Sequence, residues 1–162
     1  MIIPRVESVD AKTIRISNID SVLAHCLYEI PDILAKRSAP GAHERLFQDL
    51  IADDAAANAD WHNYTTPELH HLFASAGDTI TRDLTGLADK QVIFPAVHLD
   101  AWLSALNQTR LILAALHNLT ETDMEIRQLD LTDPRHHALL RVHLLGDLLY
   151  LLIAHSQGGQ PT

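Results

Sequence analysis

Between Pro134 and His155 the chain carries Leu139, Leu140, Val142, Leu144, Leu145, Leu148, Leu149, Leu151, Leu152 and Ile153, spread over more than one side of a helix. A helix apolar nearly all round needs neighbours on most of its surface, so it is expected at the centre of a bundle. Asp133-Pro134 supplies an N-cap and a first-turn proline for its start. Arg141, His143 and Asp147 interrupt the run, and it is shorter than the roughly 20 apolar residues of a bilayer span. A core helix is therefore the expectation, with no membrane partner. Its apolar surplus leaves room for a homodimer, and equally for a central place in a monomer.

The rest of the chain supplies the neighbours. At 162 residues and 47% hydrophobic it fits one domain, expected over residues 1–157, with a tail over 158–162 opened by Gly158-Gly159. Residues 2–16 alternate loosely around Asp10-Ala11-Lys12 and read as a short β-hairpin or two extended pieces. Ile19, Val22, Leu23, Cys26, Leu27, Ile30 and Leu34 fall at helical spacing, with Pro31 placed to kink or split that helix. Residues 42–51 read as a short helix with Leu46, Phe47, Leu50 and Ile51 inward, and the Ala-rich stretch 53–63 as another. Thr65 with Glu68 has capping-box spacing and Pro67 suits a first turn, so a further helix is expected to open there, with Leu69, Leu72, Phe73, Ala76, Ile80, Leu84 and Leu87 on one side. Residues 92–97 read as a short apolar linker, with an extended conformation open to it. Leu99 to Asn118 then forms a helix around Trp102, Leu103 and Leu106, and Thr120 caps a short one towards Leu129. The fold class expected is mainly α: a single-domain helical bundle with a small N-terminal β-hairpin or extended element.

Charge narrows the partners. The formal net charge is −9, and residues 41–100 hold ten acids against Arg45, Arg82 and Lys90. Binding to nucleic acid rests on cations that neutralise phosphates. No basic stripe supplies them, so no direct nucleic-acid contact is expected and the partner sought is a protein, itself basic. One cysteine, Cys26, allows no internal disulfide and suits a reducing compartment. With no signal-peptide pattern at Met1-Ile2-Ile3-Pro4-Arg5, a cytoplasmic protein is expected. No nucleophile elbow, P-loop or dinucleotide glycine motif is present, and six glycines leave little for phosphate-cradling loops. A non-enzymatic protein without a cofactor is the expectation.

Three stretches carry a resemblance: Arg45-Leu46-Phe47 before an acidic short helix, then Trp102-Leu103, Leu106-Asn107 and Arg110-Leu111, then the leucine-rich residues 139–153. In order and spacing they resemble the actinobacterial AosR-like family of oxidative-stress regulators, over about residues 20–155. The resemblance implies a cytoplasmic helical regulator of actinobacterial type. Its members are often encoded beside an adaptor of the Clp protease, so the implied partner lies in transcription machinery or Clp-linked proteolysis. It transfers no catalytic residue. A thiol switch within one chain would need a second cysteine, so a redox role for Cys26 is not expected.

Candidate sites follow from residue type. Trp61 and Tyr64, beside Asp53, Asp54 and Asp60, suit a partner-binding surface, because Trp and Tyr concentrate at interface hot spots. Asn107 and Arg110, three apart on one helix, are expected to form an internal polar pin, with Asp100, Asp83 or Asp147 as acceptor for the guanidinium. Trp102 lies on the apolar stripe and is expected in the core, as is Cys26 among Val22, Leu23, Leu27 and Ile30. Eleven histidines allow an alternative function, a metal-binding or metal-sensing protein. Its ligands would be His136 or His137 with His143 and Asp147, the last two sharing a helix face at i,i+4.

Overall fold

The computed structural model describes residues 2–48 and 53–158. Its chain opens with a hairpin, β1 (Arg5–Asp10) and β2 (Thr13–Ser17), whose turn is held by the Lys12 amide donating to Asp10 Oδ1 at 2.8 Å. Within residues 92–97, an apolar linker for which an extended conformation was open, Val92–Pro95 form a third strand, β3. It pairs antiparallel with β2, giving the order β1-β2-β3 with Ile14 opposite Phe94 and Ile16 opposite Val92. Backbone bonds clamp both ends of this pairing, from the Ile19 amide to the Lys90 carbonyl at 2.9 Å and from the Ala96 amide to the Lys12 carbonyl at 2.7 Å. Strand alternation puts Ile14, Ile16, Val92 and Phe94 in the core. On the other face Arg15 Nε donates to Glu7 Oε1 at 2.8 Å.

The first helical stretch is split, as Pro31 suggested, into α1 (Ser21–Tyr28) and α2 (Ile30–Leu34), with the proline in the first turn of α2. Asp20 caps α1 by accepting from the Leu23 amide at 2.8 Å. Next comes α3 (Ala42–Leu46); Leu50 and Ile51, expected inward, lie outside the described residues. The two helices expected over 53–63 and from Thr65 onward are one, α4 (Ala55–Leu84), with Pro67 inside it. Thr65 is no N-cap there, since its hydroxyl donates back to the Trp61 carbonyl at 2.7 Å. A proline within a helix costs about 3 kcal/mol, while ending one helix and nucleating another also fixes several residues for a single bond. The Ala-rich stretch before Pro67 favours continuation.

A 3-10 turn at Ala96–His98 leads into α5 (Leu99–Leu116), followed by α6 (Glu121–Met124) and α7 (Pro134–Ser156). Thr120 and Asp123 close a capping box on α6. The central helix is α5, not α7. It packs against α2, α3, α4 and α7 and buries Trp102, Ala105, Leu106, Ile112, Leu113, Ala114 and Ala115. Its alanines let neighbouring backbones approach from several sides. By contrast α7 buries one face, Ala138, Leu139, Val142, Leu145, Leu148 and Leu152, while Tyr150 and Ile153 stay exposed. Each fully buried Leu or Ile contributes about 1.5–3 kcal/mol, so the α5–α7 seam carries much of the domain's stability. By length and composition alone α7 could cross a membrane, at a mean hydropathy of 1.5 over its most apolar window. In this fold its buried face serves α5, α1 and β1. The left-handed Gly158 (φ 73°) follows the end of α7, and the tail expected beyond it lies outside the described residues.

Candidate functional site

Thirty residues make α4 about 45 Å long, and its two halves differ. Ala76, Gly77, Ile80 and Leu84 bury the C-terminal half, whereas Asn58 is the one fully buried residue before Ala76. Leu69 and Phe73 pack partly against the core, and the Phe47 ring bridges the junction, 4.4 Å from His70 and 5.6 Å from Phe73 between ring centroids. Trp61, Tyr64, Glu68 and Leu72 follow one another at three- and four-residue spacing and share a face of the helix. Tyr64 is 82% exposed, Leu72 60% and Trp61 37%. Asp53, Asp54, Asp60 and Glu68 are exposed around them. Asp54 also serves as N-cap, accepting from the Ala57 amide at 3.0 Å, and Asp53 takes a left-handed backbone (φ 63°) just before it. Trp61, Tyr64 and Asp60 thus stand exposed on the N-terminal half of α4, with Asp53 and Asp54 exposed at its start and Glu68 and Leu72 further along. Leu72 would be expected inward with Leu69 and Phe73 on the apolar side of a helix from Thr65, but it lies about 100° round the axis from Phe73 and is exposed.

The polar pin takes another form than expected. Asn107 is exposed and makes no side-chain hydrogen bond among the described residues. Arg110 pairs with no carboxylate among the described residues, and its Nε donates to the Val142 carbonyl of α7 at 3.2 Å. A Cβ on Gly146 would lie 3.1 Å from Arg110 Nε, so the glycine leaves the guanidinium its space against α7. Burial holds the Arg110 pKa below its usual value, with Asp147 opposing from a distance.

Two other polar clusters tie α5 to its neighbours. In the first, Arg37 Nη2 donates to Gln108 Oε1 at 3.0 Å and to the Phe73 carbonyl at 3.2 Å, while Gln108 Nε2 donates to Ser104 Oγ at 3.0 Å. Gln108 is 2% exposed. In the second, Asp83 Oδ2 lies 2.9 Å from both Trp102 Nε1 and His98 Nδ1. Trp102 is fully buried and stacks on Phe94 at 4.4 Å. Asp83 is therefore held by Trp102 and His98 rather than by Arg110. Nothing local in the sequence signals either cluster, because Arg37 and Gln108 stand 71 positions apart.

The proposed metal ligands are not assembled. His136 Nδ1 accepts from the Asp130 amide at 2.7 Å, and His137 Nε2 donates to the Leu131 carbonyl. Both histidines fasten the loop before α7. Burial holds His143 below its usual range, Asp147 opposing and Arg127 and Arg110 adding to the effect. No three His, Cys, Asp or Glu side chains are grouped to hold a metal ion among the described residues.

Cys26 is buried at 3% exposure, and burial pushes its thiol up to about 11, with Glu29 adding to the rise. A rise from 9.0 to about 11 means roughly a hundredfold less thiolate at neutral pH. Native protein at pH 7.5 is expected to react with a thiol-specific disulfide reagent at least about a hundred times more slowly than protein unfolded in urea. Equal labelling rates would show that the thiol is accessible and reactive.

No curated protein and no solved structure matches the chain. A family model described as a domain of unknown function, DUF2017, matches residues 17–155. That span begins at the last residue of β2 and takes in every helix from α1 to α6 and all but the last residue of α7. The chain belongs to the DUF2017 family.

Proposed function

We propose that this protein is a non-enzymatic regulatory module that works by binding another protein through the N-terminal half of α4. The observation that carries the reading is the exposed row Trp61, Tyr64 and Leu72 on a helical segment whose one buried residue before Ala76 is the polar Asn58. Isolated helices of that length are marginal in water, so a partner that covered the row would also stabilise the segment. Asp53, Asp54, Asp60 and Glu68 rim it, which favours a basic partner, steered by charge and held by aromatic anchors. The resemblance to the AosR-like regulators points to transcription machinery or Clp-linked proteolysis as the setting, in a cytoplasmic protein of actinobacterial type.

The test is capture from actinobacterial lysate with the wild-type chain and with Trp61→Ala/Tyr64→Ala, under oxidising and reducing conditions. The double variant is expected to keep its thermal unfolding midpoint within a few degrees and to lose at least about tenfold of the captured partner, as hot-spot truncation does. Equal capture in both redox states is expected, because the one thiol is buried. A folded double variant that captures the partner as well as wild type would remove this surface from consideration.

A further inference from the structure

A cavity of about 440 Å³ opens beside α6, lined by Arg45, Arg110, Leu111, Leu119, Met124 and Val142, with Glu121 among the remaining wall residues. Two arginines facing one concavity are unexpected in a chain of net charge −9. Each donates to a main-chain carbonyl: Arg45 Nη2 to Leu119 at 3.0 Å and Arg110 Nε to Val142 at 3.2 Å. Neither makes an ion pair with an acid among the described residues. A guanidinium has five N–H donors, so one bond apiece leaves most of that capacity open. Burial already weighs on the charge of Arg110, and a bound anion would relieve that cost.

We propose that this cavity binds a monocarboxylate carried on an apolar chain. Guanidinium forks match carboxylate geometry, and Leu111, Leu119, Met124 and Val142 offer walls for the chain. Glu121 on the wall and Asp147, which acts on Arg110 from a distance, both reduce the positive charge, so the site favours a monoanion over a phosphate dianion. Its volume falls within the range of small-molecule sites, about 300–1,000 Å³. No α4 residue lines it, so it stands or falls independently of the surface proposed above.

The full chain would be titrated with octanoate, octan-1-ol and inorganic phosphate, followed by backbone amide NMR shifts and calorimetry. Octanoate is expected to move the amides of Leu111, Val142 and residues 119–124, with octan-1-ol binding at least about tenfold more weakly, the worth of a charged hydrogen bond. Arg45→Met is expected to lose about tenfold in octanoate affinity and Arg45→Lys less. Arg110 also ties α5 to α7, so Arg45, near the end of α3, is the decisive position. A peptide ending in Leu is the second arm: binding with a free carboxylate but not as the amide assigns the ligand to a chain terminus. Octanoate binding beside a silent peptide assigns it to a free acid. Equal binding of octanoate and octan-1-ol would overturn the proposal. So would unchanged octanoate affinity in Arg45→Met, phosphate binding there without octanoate, or no octanoate response at millimolar concentration.

Discussion

Trp102→Ala is expected to lower the unfolding free energy by about 3–5 kcal/mol, the usual cost of removing a large aromatic from a core. Most single domains have only about 5–15 kcal/mol in all. Three elements meet at this side chain: it stands on α5, stacks on Phe94 of β3 at 4.4 Å, and donates Nε1 to Asp83 of α4 at 2.9 Å. Truncation therefore leaves a cavity, removes the stack and takes from Asp83 one of its two partners. Trp102→Phe separates these effects, because it retains a ring against Phe94 and removes the N–H donor. Its expected cost is about 1.5–3 kcal/mol, that of a hydrogen bond to a charged group. Urea unfolding of wild type and both variants measures the differences, provided the slope with denaturant is unchanged. A loss under about 1 kcal/mol for the alanine variant would mean that the site collapses around the gap. Protection from hydrogen exchange should fall most at the C-terminal half of α4, which the Asp83–Trp102 bond fastens to α5.

Periodicity made most of this fold legible. The apolar spacing of α1 and α5 marks most of their inward residues, with Val22 left exposed, and Thr120 and Asp133 act as the caps their positions suggest. What stayed hidden depended on distant partners or on competing local signals. Thr65, Pro67 and Glu68 form a helix-start pattern, yet the chain was already helical from Ala55 and the pattern is absorbed into α4. Residues 92–95 gain their strand identity from β2, far away in sequence, so the stretch 92–97 alone reads as a linker with an extended conformation open to it. An apolar composition on several sides of α7 suggested the centre of the bundle, but the alanines of α5 take that place by close approach. Of the candidate surface, the aromatic and acidic residues up to Tyr64 were visible in the sequence. Leu72, expected inward, joins them because it is exposed. On α5, adjacent positions differ by about 100° around the axis, which is why Asn107 faces solvent while Gln108 beside it is buried.

That neighbouring glutamine carries the second large effect. Gln108→Leu places an apolar side chain at a 2%-exposed position, where hydrophobic burial alone would predict a gain. The expected result is the opposite, a loss of about 1.5–3 kcal/mol, because the change strips Arg37 of the one side-chain acceptor it has among the described residues. Arg37 has little slack: burial depresses its pKa, with Asp78 opposing, and its Nε is buried without a hydrogen-bond partner among the described residues. After the substitution the guanidinium keeps only the Phe73 carbonyl. Removing the charge as well reverses the sign of the argument, since replacing both partners of a buried polar pair by apolar groups is near neutral. Arg37→Met/Gln108→Leu is thus expected to recover most of the stability lost in the glutamine variant alone. Thermal and urea unfolding of the two singles and the double form a complete cycle, with an expected coupling of at least about 1 kcal/mol. Additive losses would mean that Arg37 swings to solvent when its acceptor goes, and that α2 and α5 are held by apolar packing alone. A recovered double variant would instead identify the Arg37–Gln108 bond as a device that selects the register of α2 on α5 while adding little net stability.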